Sequence, residues 1–161
     1  VLQPHLHQTP FTFAQVLKSW YVMFFQLPLL PQWLVARKHF RLIDSLYASW
    51  SPLWTASTEH LDSIKASLSG PGSLLAAIGY YRSMVRHMNA RKWALMSAKT
   101  TVPALVIVGK RDRSTGAELF VTSPACYEQL HELLVMPGVG HFPQLENPEG
   151  FASAVLDFLR G

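Results

Sequence analysis

Val102-Pro103-Ala104-Leu105-Val106-Ile107-Val108-Gly109-Lys110-Arg111-Asp112 is the stretch on which the fold turns. Its first eight residues are almost wholly apolar and rich in β-branched side chains. Proline opens the run and glycine closes it, which predicts a strand buried on both faces, as in a parallel sheet. Downstream, Leu130-His131-Glu132-Leu133-Leu134-Val135-Met136 predicts a second, weaker strand that ends at Pro137-Gly138. Residues 116–129 between them predict a crossover helix. After the second strand, Asn147 can cap a helix and Pro148 suits its first position. Phe151, Ala154, Val155, Phe158 and Leu159 then form one apolar face. Strand, helix, strand, helix implies a right-handed parallel βαβ unit with a closing helix.

Upstream of Thr100 the pattern is helical. Phe13, Val16, Leu17, Trp20 and Phe24 recur three or four apart, predicting a helix from Thr12 to about Gln26. Further helices are predicted at 33–49, 57–68 and 73–92, with Ser69-Gly70-Pro71-Gly72 as a break. The fold class is therefore α/β, a helical segment leading into the end of a parallel sheet. Two segments are expected, at 1–99 and 100–161. Charge divides at the same place: ten Lys/Arg against three Asp/Glu before Thr100, four against seven after it.

Composition narrows the function classes. Of 161 residues, 49% are hydrophobic and 15% charged, too apolar for a disordered chain, while 11 prolines and 9 glycines argue against one uninterrupted bundle. The net charge of +4 is scattered, with only Arg82, Arg86, Arg91 and Lys92 drawn together, so no nucleic-acid partner is expected. The lone Cys126 excludes an internal disulfide and a cysteine-based zinc site. His5 and His7 read as loop residues rather than metal ligands, and no cofactor is implied. Between Lys18 and Arg37 lie 18 uncharged residues, but Pro28 and Pro31 interrupt them and make a spanning helix costly. No secretion signal is visible, so a cytoplasmic or membrane-peripheral protein is expected.

In an open α/β sheet, catalytic groups gather at the carboxyl ends of strands. Asp112 follows the first strand. His141 follows the second, in Gly138-Val139-Gly140-His141-Phe142, where the glycines permit a sharp turn. A carboxylate that orients an imidazole and stabilises its charged form is the acid–base pair of a nucleophile triad. The alternative for each residue alone is a charged turn or a surface histidine.

Gly109-Lys110-Arg111-Asp112, followed by Gly138-Val139-Gly140-His141-Phe142-Pro143-Gln144-Leu145-Glu146-Asn147-Pro148-Glu149, resembles the acid and histidine loops of the α/β-hydrolase superfamily. There the order along the chain is nucleophile, acid, histidine. Trp20-Tyr21-Val22-Met23-Phe24-Phe25-Gln26-Leu27-Pro28 and Gly79-Tyr80-Tyr81-Arg82 are similar to two lid signatures of epoxide hydrolases, each supplying a tyrosine to the active site. The resemblance implies that 1–99 is a helical cap and 100–161 the C-terminal βαβα part of the hydrolase core, an incomplete fold. Tyr21 and Tyr81 would bind the epoxide oxygen and stabilise the alkoxide as it forms. Tyr80 takes the second role if the register is off by one.

No Gly-x-Ser-x-Gly or Gly-x-Asp-x-Gly elbow occurs in the chain. The nucleophile is therefore expected from an upstream half, which becomes the expected partner beside a small apolar epoxide-type substrate. Alone, the chain is expected to be inactive. Two other readings remain open. One is a haloalkane dehalogenase or esterase of the same superfamily. The other is a non-catalytic interaction module made of half a hydrolase fold, whose open sheet edge invites self-association.

Overall fold

A computed structural model of the chain describes residues 20–87, 89–99, 101–120, 127–128 and 131–161. His5, His7, Cys126 and most of the helix expected at 12–26 lie outside them. Of that helix the described part is α1, Trp20–Phe24. The chain then turns through Pro28 and Leu29 into α2, Leu30–Trp50, with Pro31 in its first turn.

The expectation of one straight helix over 33–49 needs correcting. The helical path breaks at Arg37 (ψ 149°) and passes through Lys38, His39 and Phe40, all at positive φ (50°, 52° and 58°). Three successive L-residues in that region are costly. The offset lies in packing, because Phe40 at the end of the break and Leu42 and Ile43 beyond it all reach the cluster formed by Phe25, Val35 and Ile78.

α3, Thr58–Ser69, is capped by Ser57, whose Oγ accepts from the His60 amide at 3.2 Å. α4, Ser73–Arg86, begins after Gly72. The helix expected over 73–92 is in fact two. α4 ends at Arg86, and Asn89 is extended (φ −140°, ψ 170°) and caps α5, Ala90–Ser97, by accepting from Lys92 N at 2.9 Å. An asparagine that satisfies a new helix's orphan amide competes with continuing the old one.

β1, Ala104–Gly109, and β2, His131–Met136, pair in parallel, in register from Ala104 opposite His131 to Gly109 opposite Met136. The expected crossover helix is a correction in its described part. Ala117–Phe120 forms a 3-10 turn, while 121–126 and 129–130 lie outside the described residues. Phe120 and Val108 are buried together, with Val106, Leu133 and Val135 against them. α6, Pro143–Glu146, and α7, Pro148–Arg160, complete the chain. Asn147 caps α7 as expected, its Oδ1 accepting from Gly150 N at 3.0 Å. Among the described residues no helix is long and apolar enough to cross a membrane.

The helical part meets the sheet part at the C-terminal end of α2. Tyr47 stacks on Phe142, with centroids 4.4 Å apart and planes 15° apart, and Trp50 lies against His141 at 5.0 Å. This seam positions the site.

Candidate active site

The loop after β1 is built by its own backbone. Lys110 N donates to Met136 O at 2.9 Å and Arg111 N to Val139 O at 2.8 Å, which ties it to the loop after β2. The two loops touch so closely that a Cβ on Gly109 would overlap the carbonyl oxygens of Gly140 and Val139. Beyond that contact Asp112 folds into an Asx turn. Its Oδ1 accepts from Ser114 N at 2.7 Å and Thr115 N at 3.2 Å. With Oδ1 occupied by the backbone, Oδ2 is left for His141, and His141 Nδ1 lies 3.1 Å from it.

Asp112 is nearly buried (8% of its side chain exposed), whereas His141 keeps 29%, so the acid is shielded and the ring is reachable. If Nδ1–H donates to the carboxylate, Nε2 carries a free lone pair. That is the tautomer a general base needs.

Tyr21, on α1, and Tyr81, on α4, meet edge to face with centroids 5.8 Å apart. Arg82 secures the two helices together, donating from Nε to Phe25 O at 2.9 Å and from Nη2 to Leu27 O at 2.6 Å. Gln26 Nε2 adds a bond to Tyr81 O at 3.1 Å. Of the two neighbouring tyrosines, Tyr80 is 49% exposed, while Tyr81 packs against the helical cluster and faces Tyr21. Burial first, then the neighbouring Tyr21 and Tyr80, holds the Tyr81 phenol above its ordinary range, so it stays protonated at neutral pH.

The structure thus brings Asp112 to His141 and Tyr21 to Tyr81, and the two pairs line different hollows. The phenols line a cavity of about 160 Å³, walled also by Phe25, Leu46, Trp50 and Ile78. Asp112 and His141 lie at the end of an open groove of about 800 Å³ that runs along β1 and beside Phe151, Val155 and Phe158. Two residues absent from the sequence reading link the pairs. The Trp50 ring lies 5.5 Å from Tyr21 and 5.0 Å from His141. Ser114 Oγ is 3.5 Å from the Tyr21 hydroxyl, and its amide is one of the two held by Asp112. Among the described residues no group of three His, Cys, Asp or Glu side chains could hold a metal ion.

Ser51 and Glu146 were also missed by the sequence reading. Ser51 is fully buried, and His141 N donates to its Oγ at 2.9 Å. Glu146 accepts from Ser51 Oγ at 2.8 Å, from Phe142 N at 2.9 Å and from Gly140 N at 2.6 Å. Glu146 stands in the quoted histidine motif, which was its only signal. Nothing in the sequence pairs it with Ser51, 95 positions away.

A parallel strand pair with an acid and a histidine at its carboxyl ends, preceded by helices, is an incomplete α/β-hydrolase fold. No protein-family model matches the chain. Individual proteins do. Human Epoxide hydrolase 4 is 25% identical over 152 residues, covering 91% of this chain and 41% of that protein. The AB hydrolase superfamily protein YfhM of Bacillus subtilis is 26% identical over 161 residues, covering 98% of this chain and 54% of that protein. The structure of a Bacillus megaterium epoxide hydrolase in complex with an inhibitor superposes with a TM-score of 0.75 at 17% identity, covering 99% of this chain and 57% of that one. The chain therefore resembles epoxide hydrolases within the α/β-hydrolase superfamily, and it spans about half the length of these relatives.

Proposed function

We propose that residues 1–99 are the cap and 100–161 the C-terminal core of a hydrolase of epoxide-hydrolase type. In the complete enzyme a carboxylate nucleophile from the upstream half attacks the ring carbon, the C–O bond breaks, and a covalent ester forms. Tyr21 and Tyr81 donate to the departing oxygen, and a phenol supplies the proton that converts it to a hydroxyl. His141, oriented by Asp112, then removes a proton from water as that water attacks the ester. The acyl C–O bond then breaks, the imidazolium gives its proton to the departing diol oxygen, and the proton left on the nucleophile's carboxyl passes to the phenolate, so that carboxylate, imidazole and phenol are all regenerated. The observation that carries this reading is the 3.1 Å Asp112–His141 contact, reached from the phenol pair through Trp50.

The size and apolar wall of the 160 Å³ cavity support a small apolar epoxide as substrate. A dry cavity of about 150 Å³ lined by Leu, Ile and Phe takes up benzene. The open groove along β1 is where the upstream half would extend the sheet, its nucleophile reaching the substrate on the Trp50 side of the phenol cavity, between the phenols and His141.

The test is assembly in trans. The chain alone should form no diol from an aryl epoxide. Adding the upstream half should restore saturable diol formation, and His141→Ala should abolish it. Turnover by the chain alone, lost on His141→Ala, would overturn the proposal. One observation favours a second reading: an indole N–H can hold a halide, and Trp50 lies beside His141. Halide release from a chloroalkane by the assembled halves, without diol formation from epoxides, would establish that reading instead.

A further inference from the structure

We infer that Ser51 and Glu146 are positioning residues for His141, and that the C-terminal end of α2 sets the alignment of both loops that form the acid–base pair. The inference rests on His141 being the base of the proposed reaction.

Two neighbouring residues at that end divide the work. The Trp50 carbonyl accepts from Arg113 N at 3.2 Å, immediately after Asp112. The Ser51 hydroxyl accepts from His141 N at 2.9 Å and donates to Glu146 Oε1 at 2.8 Å. Glu146 then collects the flanking amides, Gly140 N on Oε2 and Phe142 N on Oε1. Three consecutive amides of the histidine loop are thus held by one hydroxyl and one carboxylate, and the hydroxyl comes from the helical part of the chain.

The fit is tight. A Cβ on Gly140 would lie 2.6 Å from Ser51 Cα, so only glycine lets the loop approach the helix end. Ser51 is fully shielded from water, so no solvent can replace its hydroxyl when it is removed. The His141 ring is fixed at Nδ1 by Asp112 and at its backbone by Ser51. Releasing the second leaves the first to hold a ring whose backbone can drift. A displacement of the cap would withdraw the ring from alignment, because the same serine belongs to the cap.

The experiment is NMR of the full 161-residue chain with ¹⁵N-labelled histidine, which reads the His141 ring whether or not the assembled enzyme hydrolyses epoxides. Loss of epoxide hydrolysis with these signals intact would therefore count against the function and not against the positioning role. In the unaltered chain the Nδ1–H proton should appear at low field, and the His141 amide should exchange at least tenfold more slowly than the exposed amides of α7. Ser51→Ala and Glu146→Gln should each broaden or abolish the Nδ1–H signal and reduce the protection of the His141 amide at least tenfold. Together they should do little more than either alone, since both act in one network. Ser49→Ala is the control, because that hydroxyl donates to Leu46 O within its own helix, and it should change neither signal. Three results would overturn the inference: a His141 amide unprotected in the unaltered chain, an unchanged Nδ1–H in a folded Ser51→Ala variant, or the same loss from Ser49→Ala.

Discussion

Asp112 spends one carboxylate oxygen on its own loop and the other on His141, so removing its charge tests both duties at once. Asp112→Asn keeps the size and the Asx turn, but its amide can present N–H to the ring and favour the wrong tautomer. In the assembled enzyme the ester should still form and then persist. Turnover should fall about 10⁴-fold, as for the corresponding change in a serine triad. Mass spectrometry of the upstream half should find the trapped ester, and undiminished turnover would contradict the assignment. Tyr81 supports a second prediction, in the alkaline range. Burial raises its pKa in the folded chain, so above the ordinary phenol value near 10 the unfolded chain has given up a proton that the folded chain still holds. Stability should therefore fall as pH rises through about 10. Tyr81→Phe should flatten that decline in denaturant titrations at several pH values, with Tyr47, also raised by burial, leaving a remainder. At this scale the meeting of Asp112 with His141 and of Tyr21 with Tyr81 was legible, because each residue sits in a motif or at a strand end. Trp50, Ser51, Ser114 and Glu146 were not, because they matter through partners distant in sequence.

The elements were legible where a local rule agreed with the packing. β1, its parallel pairing with β2, and α7 behind its Asn147 cap all formed where two apolar runs and a capping residue placed them. Local rules failed where packing or a competing cap prevailed. Spacing arguments over 33–49 cannot reveal a path broken at residues 37–40, since apolar periodicity shows which residues face inward and not whether the helix stays continuous. Likewise Asn89 divides the helix expected over 73–92, and its capping role emerges only when its extended backbone is seen. The α2 break yields a prediction. Lys38 sits at φ 50° and ψ 48°, where a Cβ costs about 1 kcal/mol or more and glycine is free of that strain. Lys38→Gly should therefore leave the chain as stable or raise its stability by up to about 1 kcal/mol, the larger freedom of glycine in the unfolded chain offsetting part of the gain. The usual result for glycine inside a continuous helix is a loss of similar size, so a loss in chemical denaturation would argue against the break.

For the molecule as a whole, the unequal finish of the two hollows carries the argument. The cavity between the phenols is walled by helices of this chain, whereas the groove along β1 is open and apolar beside the strand edge that β2 does not cover. Among the described residues that edge has no strand partner, and an edge flanked by Phe151, Val155 and Phe158 is a surface that water tolerates poorly. It should be filled by the upstream half when that half is present, and by a second copy of the chain when it is not. The two outcomes draw on the same surface, so one substitution should weaken both. Phe158→Asp places a charge in the groove, away from Tyr21, Tyr81 and the α2 end. It should lower self-association of the chain at micromolar concentration, measured by light scattering, and lower its affinity for the upstream half in parallel. The sheet edge was foreseeable from the two parallel strands alone, but the groove's wall was not, because it depends on how α7 packs across β1. If the chain proves monomeric at every concentration and Phe158→Asp leaves assembly untouched, the halves must join elsewhere, and His141 would need another route to its nucleophile.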